Sequence, residues 1–338
     1  MKTIKRILVP TDFSHGAEAA YAIAHKLAVK FGAEIDLIHV VPSMQHFMRF
    51  MASDMNIELS EKLLENAAGK LKNAMTNFDD ENRGETFIKV ERKPHLSIAD
   101  HTENRDYDLI VMGAKGGHET KMRRGGVTRH TIRTSRIPVL TVDRGMIGRK
   151  INDILVPTDG SDLSFTALAE AVPLAVAFDS DITLLYVAEM RTGLTDTANF
   201  IPAEIQKDKV YHSLVDRIQK YFEQRKDQGI SFLKKHNLFE GILHMKTEDG
   251  EKDVRIRTEI VSGFSPHYEI EAYAAENSDL VVMATHGHTG FAHVFMGSVT
   301  EKVIEFLKKP VMTVRPAESD FRKNIRDSSG VSVTDPLP

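Results

Sequence analysis

The sequence predicts an α/β protein built from two tandem, doubly wound parallel sheets, each with five strands in the order 3-2-1-4-5 and helices on both faces. Two observations lead to this fold class. The hexapeptide Ile7–Asp12 recurs unchanged as Ile154–Asp159, and short apolar runs alternate with segments of helical periodicity in both halves of the chain. This alternation is typical of βαβ units, whose crossover helices cover both faces of a parallel sheet.

A second repeat orders the later part of each copy. Asp108–Met112 matches Asp279–Met283, and the same spacing matches Gly126 to Gly297. Strands are therefore expected near 5–11, 34–41, 85–92, 108–113 and 138–143, and again near 153–158, 181–188, 254–261, 279–284 and 310–315.

The distance from the repeated hexapeptide to the second repeated segment is longer in the second copy, which indicates an insertion there. Its sequence predicts one long amphipathic helix over 204–236 and then a hairpin near 239–253, because Asp249-Gly250 is a strong tight-turn signal. The expected domains are 1–146, 147–316 and a disordered polar tail, 317–338. We also expect the two fifth strands to pair within the chain about a pseudo-twofold axis, which would cover two exposed sheet edges. Further association into a homodimer is left open.

Composition excludes several classes of function. The 338 residues include 41% hydrophobic and 27% charged residues, carry a formal net charge of -4 and contain no cysteine. The absence of cysteine rules out disulfides, thiolate nucleophiles and cysteine-ligated metal centres. The acidic balance disfavours nucleic acid as a partner. No apolar run approaches the ~20 residues of a membrane span, so we expect a cytoplasmic protein with no membrane partner.

The ends of the first and fourth strands carry the candidate site, because ligands of doubly wound sheets bind beyond the carboxyl ends of the strands. The first strand ends in Pro-Thr-Asp in both copies, at Asp12 and Asp159. The fourth strand of the second copy is followed by Ala284-Thr285-His286-Gly287, nine residues, and Gly297-Ser298-Val299-Thr300. Glycines allow close approach of a phosphate, and a helix start offers it unpaired amides. Ser298 and Glu301 also fit a capping box.

These motifs resemble those of the universal stress proteins, whose nucleotide-binding members carry Gly-x-x-Gly, nine residues and Gly-Ser/Thr after the fourth strand. The resemblance implies an adenine-nucleotide site in the second copy, with Ala284 in place of the first glycine. The implied cofactor is ATP or AMP, with Mg²⁺ as an optional companion and no metal centre of the protein's own. The residues assigned to this site are Pro157, Thr158, Asp159, Val187, Met283, Ala284, His286, Gly287, Gly297, Ser298, Val299 and Thr300.

The first copy is expected to hold a degenerate version of the same site, formed by Asp12, Val40, Gly113, Gly116 and Gly126. In the sequence match, Val127 occupies the position of the serine, so the capping box is lost. His286, His288 and His293 are close in sequence, but no nearby carboxylate or cysteine completes a metal shell. We therefore expect one nucleotide per chain, bound by the second copy.

Three functions remain open at this point. The first is a nucleotide-responsive regulatory protein of the stress response with little or no turnover, acting on an unidentified protein partner. The second is a slow ATP hydrolase, although the chain has neither a Walker A sequence nor the Ser-Gly-Gly-x-Asp-Ser of the related pyrophosphatases. The third is an interaction scaffold that binds no nucleotide.

Overall fold

The computed structural model describes residues 4–43, 53–115, 125–146, 148–190, 203–234, 239–247, 250–286 and 296–317. The chain divides into two compact units, Thr3–Arg149 and a second that begins at Lys150. The predicted fold class is confirmed, since the chain is a mixed α/β protein with mostly parallel strands and two tandem copies. The pairing of the two fifth strands stays a prediction.

The first unit contains one parallel sheet. Its strands pair in the order β3-β2-β1-β4-β5, and their bounds are β1 (Arg6–Pro10), β2 (Glu34–Pro42), β3 (Arg83–Glu91), β4 (Leu109–Gly113) and β5 (Val139–Val142). The helices in the described part of this unit are α1 (His15–Phe31), α2 (Ser53–Met75), α3 (Pro94–Glu103) and α4 (Gly126–Thr134). The central strand β1 is fully buried from Ile7 to Val9, as expected for a strand covered on both faces.

Helix α1 shows how local sequence sets an element. The Ser14 side chain accepts a hydrogen bond from the amide of Ala17, which caps the first turn. A row of alanines with Leu27 gives the helix a narrow apolar face that is completely buried on the sheet. Gly32 then adopts φ +65°, a left-handed conformation that ends the helix at little steric cost.

The second unit repeats this plan with two additional strands. The strand order is β8-β9-β10-β7-β6-β11-β12, with bounds β6 (Asp153–Thr158), β7 (Asp181–Glu189), β8 (Ile230–Lys234), β9 (Glu240–Thr247), β10 (Gly250–Gly263), β11 (Leu280–Ala284) and β12 (Val311–Val314). Its helices are α5 (Asp162–Phe178), α6 (Ala203–Glu223), α7 (Pro266–Asn277) and α8 (Ser298–Phe306). The hairpin expected near 239–253 corresponds to the antiparallel pair β9 and β10.

The prediction of one long helix over 204–236 is wrong. Helix α6 ends at Glu223, a short 3₁₀ turn follows, and Gly229 at φ +67° reverses the chain. Ile230–Lys234 then forms the antiparallel strand β8 against β9. Gly229 caps the 3₁₀ turn in a left-handed conformation, which glycine adopts at little steric cost, and the antiparallel ladder with β9 then supplies backbone hydrogen bonds to Ile230–Lys234.

None of the helices in the part of the chain that the structure describes combines the length and apolar character needed to cross a membrane. The residues 318–338, which include most of the predicted tail, lie outside the described part.

Candidate functional site

The first strand of each unit leads into a turn that carries an aspartate. In the second unit, Oδ1 of Asp159 accepts hydrogen bonds from the amide of Ser161 at 3.0 Å and from its hydroxyl at 2.6 Å. The Ser161 hydroxyl in turn accepts the amide of Ser164 at 3.1 Å and so caps α5. In the first unit, Asp12 accepts the amide of Ser14 at 3.0 Å. Both aspartates are therefore held at the carboxyl end of the central strand by the cap of the helix that follows.

The residue after each aspartate differs between the units. Phe13 has φ +60°, whereas the second unit has Gly160 at φ +79° in the same place. A left-handed conformation strains a phenylalanine but not a glycine. The Phe13 ring lies 4.5 Å from the His39 ring, centroid to centroid, and this packing offsets part of the strain.

Helices α4 and α8 begin in the same way beyond the fourth strands. The amide of Gly125 donates to the carbonyl of Ala114 at 2.8 Å, and the amide of Gly297 donates to Thr285 at 2.7 Å. Both glycines are N-caps. One turn later, the Thr128 hydroxyl donates to Gly113 at 3.0 Å and the Thr300 hydroxyl donates to Ala284 at 2.9 Å.

These contacts correct the alignment of the two copies. Gly125, and not Gly126, is the counterpart of Gly297, so Gly126 is the counterpart of Ser298 and Val127 that of Val299. The loop before the helix is one residue shorter in the first copy, and the doublet Gly125-Gly126 concealed this in the sequence. The units therefore differ at the first helical position by a single hydroxymethyl group.

The predicted capping box is also wrong. Gly297 is the N-cap of α8, no side chain caps the helix, and Ser298 is the first helical residue. The Ser298 side chain is exposed. The first amides of an α-helix have no acceptor within the helix, so both units present backbone donors at the positive end of a helix dipole.

A cavity of about 260 Å³ opens beside this helix start in the first unit. Three of the predicted residues line it, namely Asp12, Val40 and Gly113. The wall also includes the apolar side chains Ile38, Ile98 and Met112 and the polar residues Thr11, Lys115 and Thr128, which the sequence analysis did not assign. The alternation of β2 was a usable signal, because Ile38 shares a face with Val40.

Gly113 has a packing role that the motif did not reveal. A Cβ at this position would lie 2.7 Å from the backbone of Gly16, and a Cβ at Gly16 would lie 2.1 Å from the carbonyl oxygen of Lys115. The start of α1 thus lies directly against the end of β4. The second unit has Leu163 and Ala284 at the corresponding positions, both buried, so its helix and strand are separated by side chains.

The remaining predicted residues of the second unit lie at the same end of its sheet. Pro157 and Thr158 complete β6, Val187 lies in β7, and Met283 and Ala284 end β11. His286 is buried, with Nδ1 2.9 Å from the Thr285 hydroxyl. Gly116, Gly287, His288 and His293 lie outside the described residues.

Burial controls the titration of groups around both sites. It raises the pKa of Tyr21, whose hydroxyl contacts that of Thr11, and the pKa of Tyr186, which the nearby Asp159 carboxylate raises further. Burial lowers the pKa of His95, and the stacked ring of His130 lowers it further. Within the described ranges, no group of three or more histidine or carboxylate side chains is placed to hold a metal ion.

Comparisons with known proteins agree with this architecture. The family model described as the universal stress protein family matches residues 3–143 and 150–315. A universal stress protein of Methanocaldococcus jannaschii is 30% identical over 167 residues, which cover 49% of this chain and 84% of that protein.

Two solved structures are also similar. A universal stress protein from Archaeoglobus fulgidus has a TM-score of 0.61 at 18% identity and covers 92% of this chain and 98% of its own. A universal stress protein solved in complex with cAMP has a TM-score of 0.32 at 20% identity, over 50% of this chain and 100% of its own. The match of the family model to both units shows that the chain belongs to the universal stress protein family.

Proposed function

We propose that the chain is an adenine-nucleotide-binding regulatory protein of the stress response, with ATP or AMP as ligand and little or no turnover. The observation that carries the proposal is the start of α8. Its N-cap glycine is bonded to Thr285, directly beyond β11, so its first amides lie at the carboxyl end of the sheet. Helix amides in that position are suited to phosphate oxygens.

The neighbouring central strand supplies the other half of the proposed site. Asp159 follows β6, which pairs with β11, so the aspartate and the helix start belong to adjacent strand ends. A carboxylate accepts hydrogen bonds from ribose hydroxyls, whereas the helix amides donate to phosphate. The order of these groups suits a nucleoside phosphate that lies across the carboxyl ends of the two strands.

Ser298 adds a hydroxyl at the first helical position, exposed and next to the glycine N-cap. A hydrogen bond to a charged group contributes about 1.5–3 kcal/mol. Its loss should weaken nucleotide binding roughly tenfold to hundredfold. The proposed ligand contacts of the second unit are thus Asp159, Val187 and the segment Gly297–Thr300.

Regulation rather than turnover fits the chemistry of the aspartate. Oδ1 of Asp159 already accepts two hydrogen bonds from Ser161, so this oxygen is engaged in the cap of α5 rather than directed at a water molecule. Slow ATP hydrolysis is the second candidate, and an interaction scaffold without nucleotide is the third. An unidentified protein partner would recognise the nucleotide-bound state in the first case and the nucleotide-free chain in the third.

The test is calorimetric titration of the full chain with ATP, AMP and GTP, combined with mass spectrometry of any nucleotide released on denaturation. Ser298→Ala should weaken adenine-nucleotide binding roughly tenfold to hundredfold. Ser231→Ala, an exposed serine in β8 at the far edge of the sheet, is the matched control and should change nothing. Failure of all three nucleotides to bind would refute the proposal, and steady phosphate release from bound ATP would favour the hydrolase.

A further inference from the structure

Position 115 lies beside the helix start of the first unit. Ala114 accepts the amide of Gly125, and Lys115 is the next residue along the chain. Lys115 lines the cavity together with Val127 and Thr128 of the first turn of α4. A lysine therefore borders the cavity on the side where the positive end of the helix lies.

The second unit uses the same position differently. His286 is the counterpart of Lys115, because it follows Thr285, which accepts the amide of Gly297. Its ring is only 3% exposed and contacts the hydroxyl of Thr285 at 2.9 Å. Position 286 thus offers an inward-packed aromatic ring where the first unit offers a cation.

The first turns of the two helices also differ in charge. Helix α4 has no acidic residue in its first turn, whereas α8 has Glu301. The equivalent position in α4 is Arg129, one residue after Thr128. A carboxylate near a helix start compensates the dipole, so an incoming phosphate gains less there. The first unit therefore combines a first helical turn without acidic residues, a lysine and a cavity, whose wall also includes Asp12, but lacks the hydroxyl of Ser298.

We propose that Lys115 selects phosphorylated ligands in the first unit, in place of the hydroxyl that Ser298 supplies in the second. The inference rests on the proposed function, because it assigns a ligand class to the other copy of the same site. The ligand is a nucleoside phosphate whose base contacts the apolar wall of Ile38, Val40 and Ile98. Its phosphate meets the first turn of α4 and the Lys115 ammonium.

This assignment gives the two units different selection rules. Attraction to an ammonium grows with the charge of the phosphate chain and is screened by salt. A hydrogen bond from a hydroxyl depends less on either. The first unit should therefore prefer triphosphate over monophosphate more strongly than the second, and the preference should shrink as ionic strength rises.

Hydrogen exchange of the full chain can separate the two units, because peptides covering α4 and α8 report on each helix start independently. The unmodified chain, Lys115→Met, Lys115→Arg and the control Lys30→Met are titrated with ATP, AMP and adenosine at low and high salt. Lys30 is exposed near the end of α1, away from the cavity wall.

Lys115→Met should raise the ATP concentration needed to protect α4 roughly tenfold to hundredfold, while adenosine protection of α4 and ATP protection of α8 stay unchanged. Lys115→Arg should behave like the unmodified chain. An equal loss for ATP and adenosine, or no loss for ATP, would overturn the role of Lys115. Protection of α8 without α4 in the unmodified chain would overturn it as well but leave the proposed function standing. Protection of neither helix would overturn both.

Discussion

The two helix starts share a backbone and differ in their side chains. Each begins on a glycine whose amide donates to the residue directly after the fourth strand, and each has a threonine whose hydroxyl donates to the last residue of that strand. Between the glycine and the threonine lie Gly126-Val127 in the first unit and Ser298-Val299 in the second. The contacts that build the turn are thus the same in both copies, while the side chain at the first helical position differs. The comparison teaches that the residues that build the turn are separate from the residues to which we assign ligand selectivity.

The two units also carry different side chains at the amino-terminal ends of their central strands. In the first unit, Asp36 is completely buried and accepts hydrogen bonds from Arg6 at 2.9 Å, from the Tyr107 hydroxyl at 2.6 Å and from the Glu85 amide at 2.6 Å. Thr183 takes the place of Asp36 in the second unit. Arg6 also pairs with Glu85 at 3.7 Å, and the second unit has the opposite charges at these two positions, with Arg257 paired to Asp153 at 3.1 Å.

The largest expected effect lies in this buried network. Asp36→Ala leaves Arg6 and the Tyr107 hydroxyl without their acceptor, and removing one partner from a buried pair costs about 3–5 kcal/mol. Thr183→Ala is the matched change in the second unit and should cost far less, because it removes no charge. Hydrogen exchange of β1 and β6 in each variant measures the two losses. Equal losses would show that the buried charge is not what stabilises the first unit.

A smaller effect is expected at the contact of α1 with β4. Gly113→Ala places a methyl group against the backbone of Gly16, and overpacking of this kind costs about 1–3 kcal/mol. Gly126→Ala is the control, since a Cβ there meets no atom within 4 Å. It should be neutral or slightly stabilising. Urea unfolding of both variants decides the matter, and a neutral Gly113→Ala would mean that the end of β4 shifts freely.

The smallest effect is a dependence of stability on pH that belongs to the first unit. Burial lowers the pKa of His101, which contacts Tyr107 at 3.1 Å, below its ordinary value of 6.5. A lowered pKa means that the folded state binds fewer protons, so this contribution is complete above pH 6.5 and is lost as pH falls through the folded pKa.

His101→Gln should therefore flatten the fall in the free energy of unfolding below pH 6.5, as measured by urea unfolding at a series of pH values. His267→Gln makes the corresponding comparison in the second unit, where burial and Lys302 lower the pKa of another histidine. An unchanged slope for His101→Gln would assign the acid sensitivity of the first unit to other groups.

Much of the fold was predictable, because the repeated hexapeptide and the apolar runs define parallel strands directly. The strand β8 was not predicted, since Ile230–Lys234 continues the helical pattern of α6, and Gly229 is the sequence signal that separates the two segments. The candidate residues lie, as expected from the sequence, at the ends of β1, β6 and β11, whereas the expected alignment of the two helix starts was wrong. There, two adjacent glycines gave two possible alignments, which the hydrogen bonds of Gly125 to Ala114 and of Thr128 to Gly113 distinguish.

The most direct test exchanges the side chain at the first helical position, which is serine in α8 and glycine in α4. Ser298→Gly and Gly126→Ser are compared with the unmodified chain by calorimetric titration with AMP. We expect one tight site in the unmodified chain, binding at that site weakened roughly tenfold to hundredfold in Ser298→Gly, and a gain of roughly tenfold or more at the first unit in Gly126→Ser. Binding that ignores both exchanges would contradict this expectation.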